Sequence, residues 1–351
     1  MRNSSTLAIC ILMPVVLLSA CGGGGDTSGS GSDGSTSAAS SSQISQAART
    51  LAAQTTANSQ PYCVSAQPFY WEVGDANGTR ASGSTGSGIY TATTRLSIAS
   101  ASKWIYGSYV VQKRGGVHGL NNADISALHF TSGYSVFPSG GCNPNDTVGS
   151  CDAQVQYAAA TLDRFDYSGG HMQRHADLEM GLGALDGPGL ASEMRTQLGS
   201  DLSFTFTSPQ PAGGGFTSAA DYASLLRKIM SGQLAMHDAL GSSPACANPF
   251  TCKVPDNLAT YSPIPSSETW HYSIGHWIED DPVVGDGSYS SPGAFGFYPW
   301  ISHDLSTYGI VARQDMSGST ISDPAQKPYM VSVECGRLIR KAWFTGQAIV
   351  N

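Results

Sequence analysis

The sequence predicts an α+β protein: an antiparallel sheet built from both termini, flanked by helices, with a helical lobe between. Three observations carry that expectation. Residues 68–86, "PFYWEVGDANGTRASGSTG", are an apolar run, a Gly-Asp-Ala-Asn-Gly turn and a second extended stretch, the pattern of a β-hairpin. The middle of the chain places apolar residues at helical spacing. The last third holds "WHYSIGHWI", "GAFGFYPWIS" and "YGIVARQD", rich in β-branched and aromatic residues with turn residues between them, which suits a meander. A closing helix over 330–344 then ends at Gly346.

The chain ahead of the hairpin has a different character. Arg2 precedes an apolar run over 7–18, too short to cross a bilayer as a helix, which ends in Leu18-Ser19-Ala20-Cys21. That ending resembles a bacterial lipoprotein signal. The resemblance implies a signal peptide over 1–20, a lipid on the Cys21 thiol and a place in the cell envelope; Gly22, with no aspartate after Cys21, points to the outer membrane, periplasmic face. Residues 21–60 are dominated by Gly, Ser, Thr, Ala and Gln, a composition that buries too little apolar surface to offset ordering entropy, and a flexible tether is expected there. From 61 to 351 there is no second linker and no repeat, so one domain is expected.

A formal net charge of −8 argues against nucleic acid as a partner, which wants clustered Lys and Arg. Of eight cysteines, Cys10 and Cys21 belong to the leader; Cys63, Cys142, Cys151, Cys246, Cys252 and Cys335 remain. An even count in an exported protein reads as disulfides, and no CxxC pair supports zinc. Fifteen connectivities are formally open. Cys142–Cys151 and Cys246–Cys252 are favoured as short loop clips, which leaves Cys63 with Cys335 to tie the first strand to the last helix. His171 and His175 are four apart, but no glutamate sits between them and no third ligand is identifiable, so no metal is expected.

The helical middle is read in order. Residues 97–114 form a helix with Trp104, Ile105 and Tyr109 on one buried face and Gly115-Gly116 as its stop. "DISALHFTSGYSVF" is a short helix ending in a turn. Two further helices are expected over 182–198 and 219–230, the second with Ser218 as N-cap and Asp221 near its positive end, separated by "SPQPAGGG". Trp270, Trp277, Phe295 and Trp300 are strand aromatics that belong to the core or line an apolar acyl pocket.

Chemistry concentrates in "SIASASKWIYGSYVVQ", residues 97–112, where Ser100 and Lys103 stand one turn apart at a helix mouth. A serine hydroxyl is a poor nucleophile near neutral pH; it needs a neighbour to take its proton and a positive field to hold the oxygen that forms. The helix mouth supplies unpaired N–H groups, that of Ser100 among them. Lys103 lies over the same face, and partial desolvation lowers an amine's pKa towards the range in which it accepts a proton.

"IASASK" resembles the Ser-x-x-Lys motif of the serine β-lactamase and penicillin-binding-protein superfamily. Three further segments follow in the order of its class C β-lactamase and esterase branch. "ISALHFTSGY" is similar to the Leu-Leu-x-His-x-Ser-Gly segment, "AGGGFTSAADYASLLRKIMSG" to the Ala-Gly-Gly-x-x-Ser-x-x-Asp helix, and "WHYSIGHWI" to the Tyr-Gly-x-Gly-Trp strand. The resemblance covers most of 61–347. It implies a β-lactamase-like fold and a serine hydrolase that works through an acyl-enzyme without metal or organic cofactor.

Two motifs depart from that pattern. "FDYSGGHMQRHA" offers Tyr167-Ser168-Gly169 in place of Tyr-x-Asn: Tyr167 is expected as general base and later acid, working with Lys103, while Gly169 is expected at a substrate-binding position without the carboxamide that grips a substrate amide. Ser291-Pro292-Gly293 stands in place of Lys-Thr-Gly, with the Ala294 N–H as second oxyanion donor opposite that of Ser100. Ser291 carries no charge to meet a substrate carboxylate, a loss worth about 1.5–3 kcal/mol. The expected substrate is therefore a small ester or uncharged amide. The alternatives are a β-lactamase or D,D-peptidase that meets penicillins, and a catalytically inactive lipoprotein that binds an envelope ligand. A monomer held to the membrane through its lipid is expected.

Overall fold

The computed structural model describes residues 44–253 and 258–351; the expected signal peptide and Cys21 lie outside them. The folded unit begins at Ile44. Its first element corrects the end of the expected tether, because Gln46–Ser59 is a helix, α1; the rest of the tether, 21–43, lies outside the described residues. Alanine is the strongest helix former, and Ser45 caps this helix by accepting the Ala48 N–H at 3.1 Å. Ala53 and Ala57 are buried, and Arg49 donates to the Trp343 carbonyl at 3.0 Å, near the end of the last helix. Small residues that look like linker from composition are here what allows close helix packing. Helix α2, Pro61–Ala66, follows.

The expected hairpin is strands β1 (Phe69–Asp75) and β2 (Gly78–Thr85). Strand β3 (Arg95–Ser97) leads into a single 3-10 turn, Ala99–Ala101, and then α3 (Ser102–Lys113). Ser100 thus sits in the turn before the helix. Helix α4 (Asn122–Leu128) opens with a reciprocal cap between Asn121 and Asp124. The lobe continues through α5 (Val148–Asp152), β4 (Arg164–Asp166), α6 (Gly170–Leu178) and α7 (Gly187–Leu198). Helix α7 starts later than the expected 182, because the Asp186 carboxylate caps the Gly189 N–H at 2.8 Å and Pro188 occupies the first turn.

Strands β5 (Thr205–Phe206) and β6 (Gly215–Ser218) join β3 in a small antiparallel sheet of order β3-β6-β5. Helix α8 (Ala219–Met230) begins at the expected cap, with Ser218 accepting the Asp221 N–H at 3.2 Å. After α9 (Met236–Ala239) and β7 (Ala245–Cys246), strand β8 (Leu258–Tyr261) runs parallel to β4. The expected meander is finer than three strands. "WHYSIGHWI" is itself a tight hairpin, β9 (His271–Tyr272) and β10 (Trp277–Glu279), and the chain adds β11 (Ser288–Ser290), β12 (Tyr298–Ile301) and β13 (Tyr308–Ala312) before α10 (Pro328–Thr345).

The main sheet has eight strands in the order β2-β1-β13-β12-β11-β10-β9-β7, and every pairing is antiparallel. The N-terminal hairpin closes on the last strand, as a sheet built from both termini requires. Tyr298 and Val311 are cross-strand partners that face α10 at Gly336; Tyr308, three residues from Val311 and hence on the other face, is bonded by Arg227 of α8 at 2.9 Å. The sheet is covered on both faces, so β13 and β12 are buried throughout. Disulfides join Cys63–Cys335, Cys142–Cys151 and Cys246–Cys252, the favoured pairing. Among the described residues no helix is long and apolar enough to cross a membrane.

Candidate active site

Ser100 is presented by strained backbone. Ala99 has φ +43°, in the left-handed region that a residue with a side chain enters only when its surroundings hold it there. Those surroundings are explicit. The Ile98 N–H donates to the Gly215 carbonyl at 3.0 Å, Ser102 Oγ donates to the Ala99 carbonyl at 2.6 Å, and Tyr222 of α8 donates its hydroxyl to the Ala101 carbonyl at 2.8 Å. Three elements clamp one turn.

Lys103 Nζ lies 2.9 Å from Ser100 Oγ and 2.7 Å from the carbonyl of Ala212, inside the "AGGG" segment. The aromatic rings of Tyr167 and Phe130 stand 4.7 and 6.0 Å from the nitrogen. Lys103 is buried and takes no ion pair among the described residues, so desolvation alone brings its pKa down to about 7. Its position is fixed from behind. The β9–β10 turn presses on α3 so closely that a Cβ on Gly275 would meet the Lys103 carbonyl at 2.6 Å, and one on Gly107 would meet the Ile274 carbonyl at 2.6 Å.

Tyr167 follows β4, and its N–H donates to the Tyr261 carbonyl of β8 at 3.1 Å. Its ring stacks on Trp277, centroids 5.3 Å apart. Burial pushes the phenol well above its ordinary pKa, while hydrogen bonds from Ser100 and Trp277 act in the opposite direction. Ser100, Lys103 and Tyr167 are therefore brought together.

The segment after β11 forms the facing wall. Ser291 Oγ donates to the Ser100 carbonyl at 3.1 Å, and Gly293 packs so tightly that a Cβ there would lie 2.1 Å from the Ile98 carbonyl oxygen. Neither residue lines the cleft; both pack behind it, on the turn that presents Ser100. Ala294 lines it, and neither the Ala294 N–H nor the Ser100 N–H has a partner among the described residues, which leaves two donors for a developing oxyanion. Gly169 does not line the cleft, which corrects its expected substrate contact. It caps the start of α6, packed against Ala212 and Phe137.

His171 and His175 are structural. His171 is bonded to Ser132 at 2.7 Å and to the Asp166 carbonyl at 3.1 Å, steadying the strand that delivers Tyr167, and burial lowers its pKa to about 3. His175 pairs with Asp124 at 2.8 Å and Tyr106 at 2.7 Å. Among the described residues no group of three or more potential metal ligands is gathered. Of the four aromatics, Trp277 and Phe295 line the cleft, whereas Trp270 and Trp300 are core.

The cleft has a volume of ≈ 370 Å³ and is walled mainly by apolar and aromatic side chains, including Tyr261, Ile264, Trp277, Phe295, Met316 and Tyr329. Residues from three late segments, Tyr261, Met316 and Lys327, were not legible as site residues: nothing local marks them, and only the closing of the sheet carries them to Ser100.

No protein-family model matches the sequence, and no curated protein matches it either. Solved structures do. The chain is similar to a β-lactamase from Mycobacterium bovis, at 12% identity over 80% of this chain and 96% of that one, with a TM-score of 0.54. It is similar to a D-stereospecific amidohydrolase from a Streptomyces species, at 12% identity over 87% and 100%, with a TM-score of 0.53. A penicillin-binding protein from Bacillus halodurans matches at 14% identity over 76% and 94%, with a TM-score of 0.51.

Proposed function

We propose that this chain, which has the fold of the β-lactamases and penicillin-binding proteins, is a serine hydrolase acting through an acyl-enzyme. Ser100 Oγ attacks a carbonyl carbon, its proton passes to Lys103 Nζ, and the tetrahedral oxyanion is held by the Ser100 and Ala294 N–H groups. Tyr167, held as a neutral phenol by burial, is assigned to hand a proton to the leaving group rather than to serve as general base, and it regains a proton from the Lys103 ammonium, so that both groups end acylation as they began it. Water then attacks the ester formed on Ser100, and the acyl group leaves as an acid. One observation supports this above the rest: a buried, unpaired lysine with its pKa near 7, 2.9 Å from the hydroxyl it would deprotonate.

The substrate reading is an ester, or an amide that carries no charge beside the scissile carbonyl. Ser291 supports it, because its hydroxyl is engaged by the Ser100 carbonyl and offers no cation there. The experiment is hydrolysis of 4-nitrophenyl butyrate with fluorophosphonate labelling mapped by mass. Ser100-dependent turnover with the label on Ser100 is expected; a Ser100→Ala variant as fast as the natural chain rejects the reading, and absence of label favours a non-catalytic ligand binder. Stable labelling by fluorescent penicillin would instead favour a penicillin-interactive enzyme. Lipid attachment at Cys21 and an envelope location are proposed alongside, supported by the leader and by three disulfides; loss of palmitate labelling in Cys21→Ser tests them.

A further inference from the structure

We propose that Lys327 recognises a negative charge on the ligand, so that the cleft selects esters and amides bearing a carboxylate away from the scissile carbonyl. The reaction part of this rests on the hydrolase reading above; the binding part does not.

Among the described residues, Lys327 is the one charged residue lining the cleft. It is half-buried and, among the described residues, its amine takes no ion pair and no hydrogen bond. Among the described residues, Arg174, Lys228 and Arg313 meet the carboxylates of Asp152, Asp201 and Asp315, while Arg49, Arg195 and Arg227, without an acid, donate to carbonyl or hydroxyl oxygens of Trp343, Phe204 and Tyr308. The acids nearest to it in sequence are engaged elsewhere: before it, Asp315 by Arg313 and the Ser317 N–H and Asp323 by the Ala325 N–H, and after it, Glu334 by Arg337. A cation left without a counter-charge inside an apolar cleft is a recognition group in want of an anion.

Its place relative to Ser100 follows from its neighbours. On one side, Gly318 packs on Pro328, and a Cβ there would lie 3.8 Å from the Ala294 carbonyl oxygen. On the other, Tyr329 donates its hydroxyl to the Pro263 carbonyl at 2.5 Å, next to Ile264. Lys327 therefore belongs to the wall that runs from the oxyanion donor to the apolar side opposite it. Ser291 leaves the position beside the nucleophile uncharged, and Lys327 puts a charge further along. The formal net charge of −8 repels anions at long range, so an anion that enters is selected by this one contact.

The test is equilibrium binding to the full chain carrying Ser100→Ala, read by quenching of tryptophan fluorescence, since Trp277 lines the cleft. Two matched probe pairs place the charge on either half of the ligand: mono-4-nitrophenyl glutarate against its methyl ester, and 4-butyryloxybenzoate against its methyl ester. At low salt the anion of at least one pair is expected to bind about tenfold tighter, the lower end for a charge-assisted bond on a partly solvated lysine. That ratio should fall to about one when Lys327→Gln is added, and should invert with Lys327→Glu. Equal affinity within both pairs, or a preference that survives Lys327→Gln, overturns the proposal. Selective binding by a natural chain that hydrolyses neither ester refutes the hydrolase reading and keeps this one; rapid Ser100-dependent hydrolysis with no anion preference does the reverse.

Discussion

Lys103 Nζ and Ser100 Oγ are 2.9 Å apart, and the lysine's other hydrogen-bond partner is a neutral carbonyl, that of Ala212 at 2.7 Å. An amine so placed loses hydration without gaining a counter-ion, and its pKa falls to about 7. In the proposed mechanism only the neutral amine accepts the serine proton. Hence kcat/KM for 4-nitrophenyl butyrate should rise with pH, with one proton lost and a midpoint near 7, and level off above it. Lys103→Met should lower kcat by roughly 10²–10⁴-fold. A flat profile between pH 5.5 and 8.5 would remove Lys103 from the proton's path.

The same burial makes a prediction about stability. In the unfolded chain Lys103 titrates near 10.5, in the folded chain near 7. Between those values the unfolded state binds more protons, so stability rises with pH across that window; below pH 7 both states are protonated and the full cost of a buried charge is present. A shift of this size corresponds to ~4–5 kcal/mol. Lys103→Met lacks this dependence. The difference in Tm between variant and natural chain should shrink, or turn in favour of the natural chain, as pH rises from 6 to 10; a difference that does not change with pH contradicts the buried, depressed lysine.

The Cys63–Cys335 disulfide closes a loop of 272 residues, against 9 and 6 for the other two. If disulfides act mainly by limiting the unfolded chain, the long bridge contributes about 5 kcal/mol and each short one about 2–3. It also fixes α2, and with it the hairpin that follows, to α10. Cys63→Ala/Cys335→Ala should therefore lower the urea midpoint about twice as far as Cys142→Ala/Cys151→Ala. Equal shifts would mean that the unfolded chain is already held together by other contacts.

What the sequence made legible was local. The β1–β2 hairpin and the start of α8 are set by a turn and a cap within a few residues, and both lie where the pattern puts them. Ser100 and Lys103 share one turn and are legible for the same reason. Features made by distant segments were not legible. The Ala212 carbonyl that holds Lys103 comes from 109 residues away. Strand β11, Ser-Tyr-Ser, is buried as a central strand although its composition is polar, because its neighbours in the sheet, not its own side chains, decide its place. Helix α1 has the composition of a linker, because alanine counts as small in a composition and as a packing surface only once α10 lies against it.

Gly293 gives the sharpest test of the oxyanion donors. A Cβ at this position would stand 2.1 Å from the Ile98 carbonyl oxygen, less than any real contact allows. That carbonyl is not free to retreat, since it accepts the Ala101 N–H at 3.0 Å within the turn that presents Ser100, and the Ile98 N–H is tied to Gly215. The strain of Gly293→Ala must then fall on the other partner, the connection between β11 and β12, and carry the Ala294 N–H away from Ser100. Loss of one well-placed oxyanion donor costs about 10²–10³-fold in kcat. Ser291→Ala is the control: it removes the bond to the Ser100 carbonyl, worth about 1 kcal/mol, while leaving the Ala294 N–H in place, and should cost no more than about tenfold. Folding is checked in both by near-UV circular dichroism. If folded Gly293→Ala turns over 4-nitrophenyl butyrate at the natural rate, the amide of Ala294 does not hold the oxyanion, and the second donor must be sought elsewhere along the cleft.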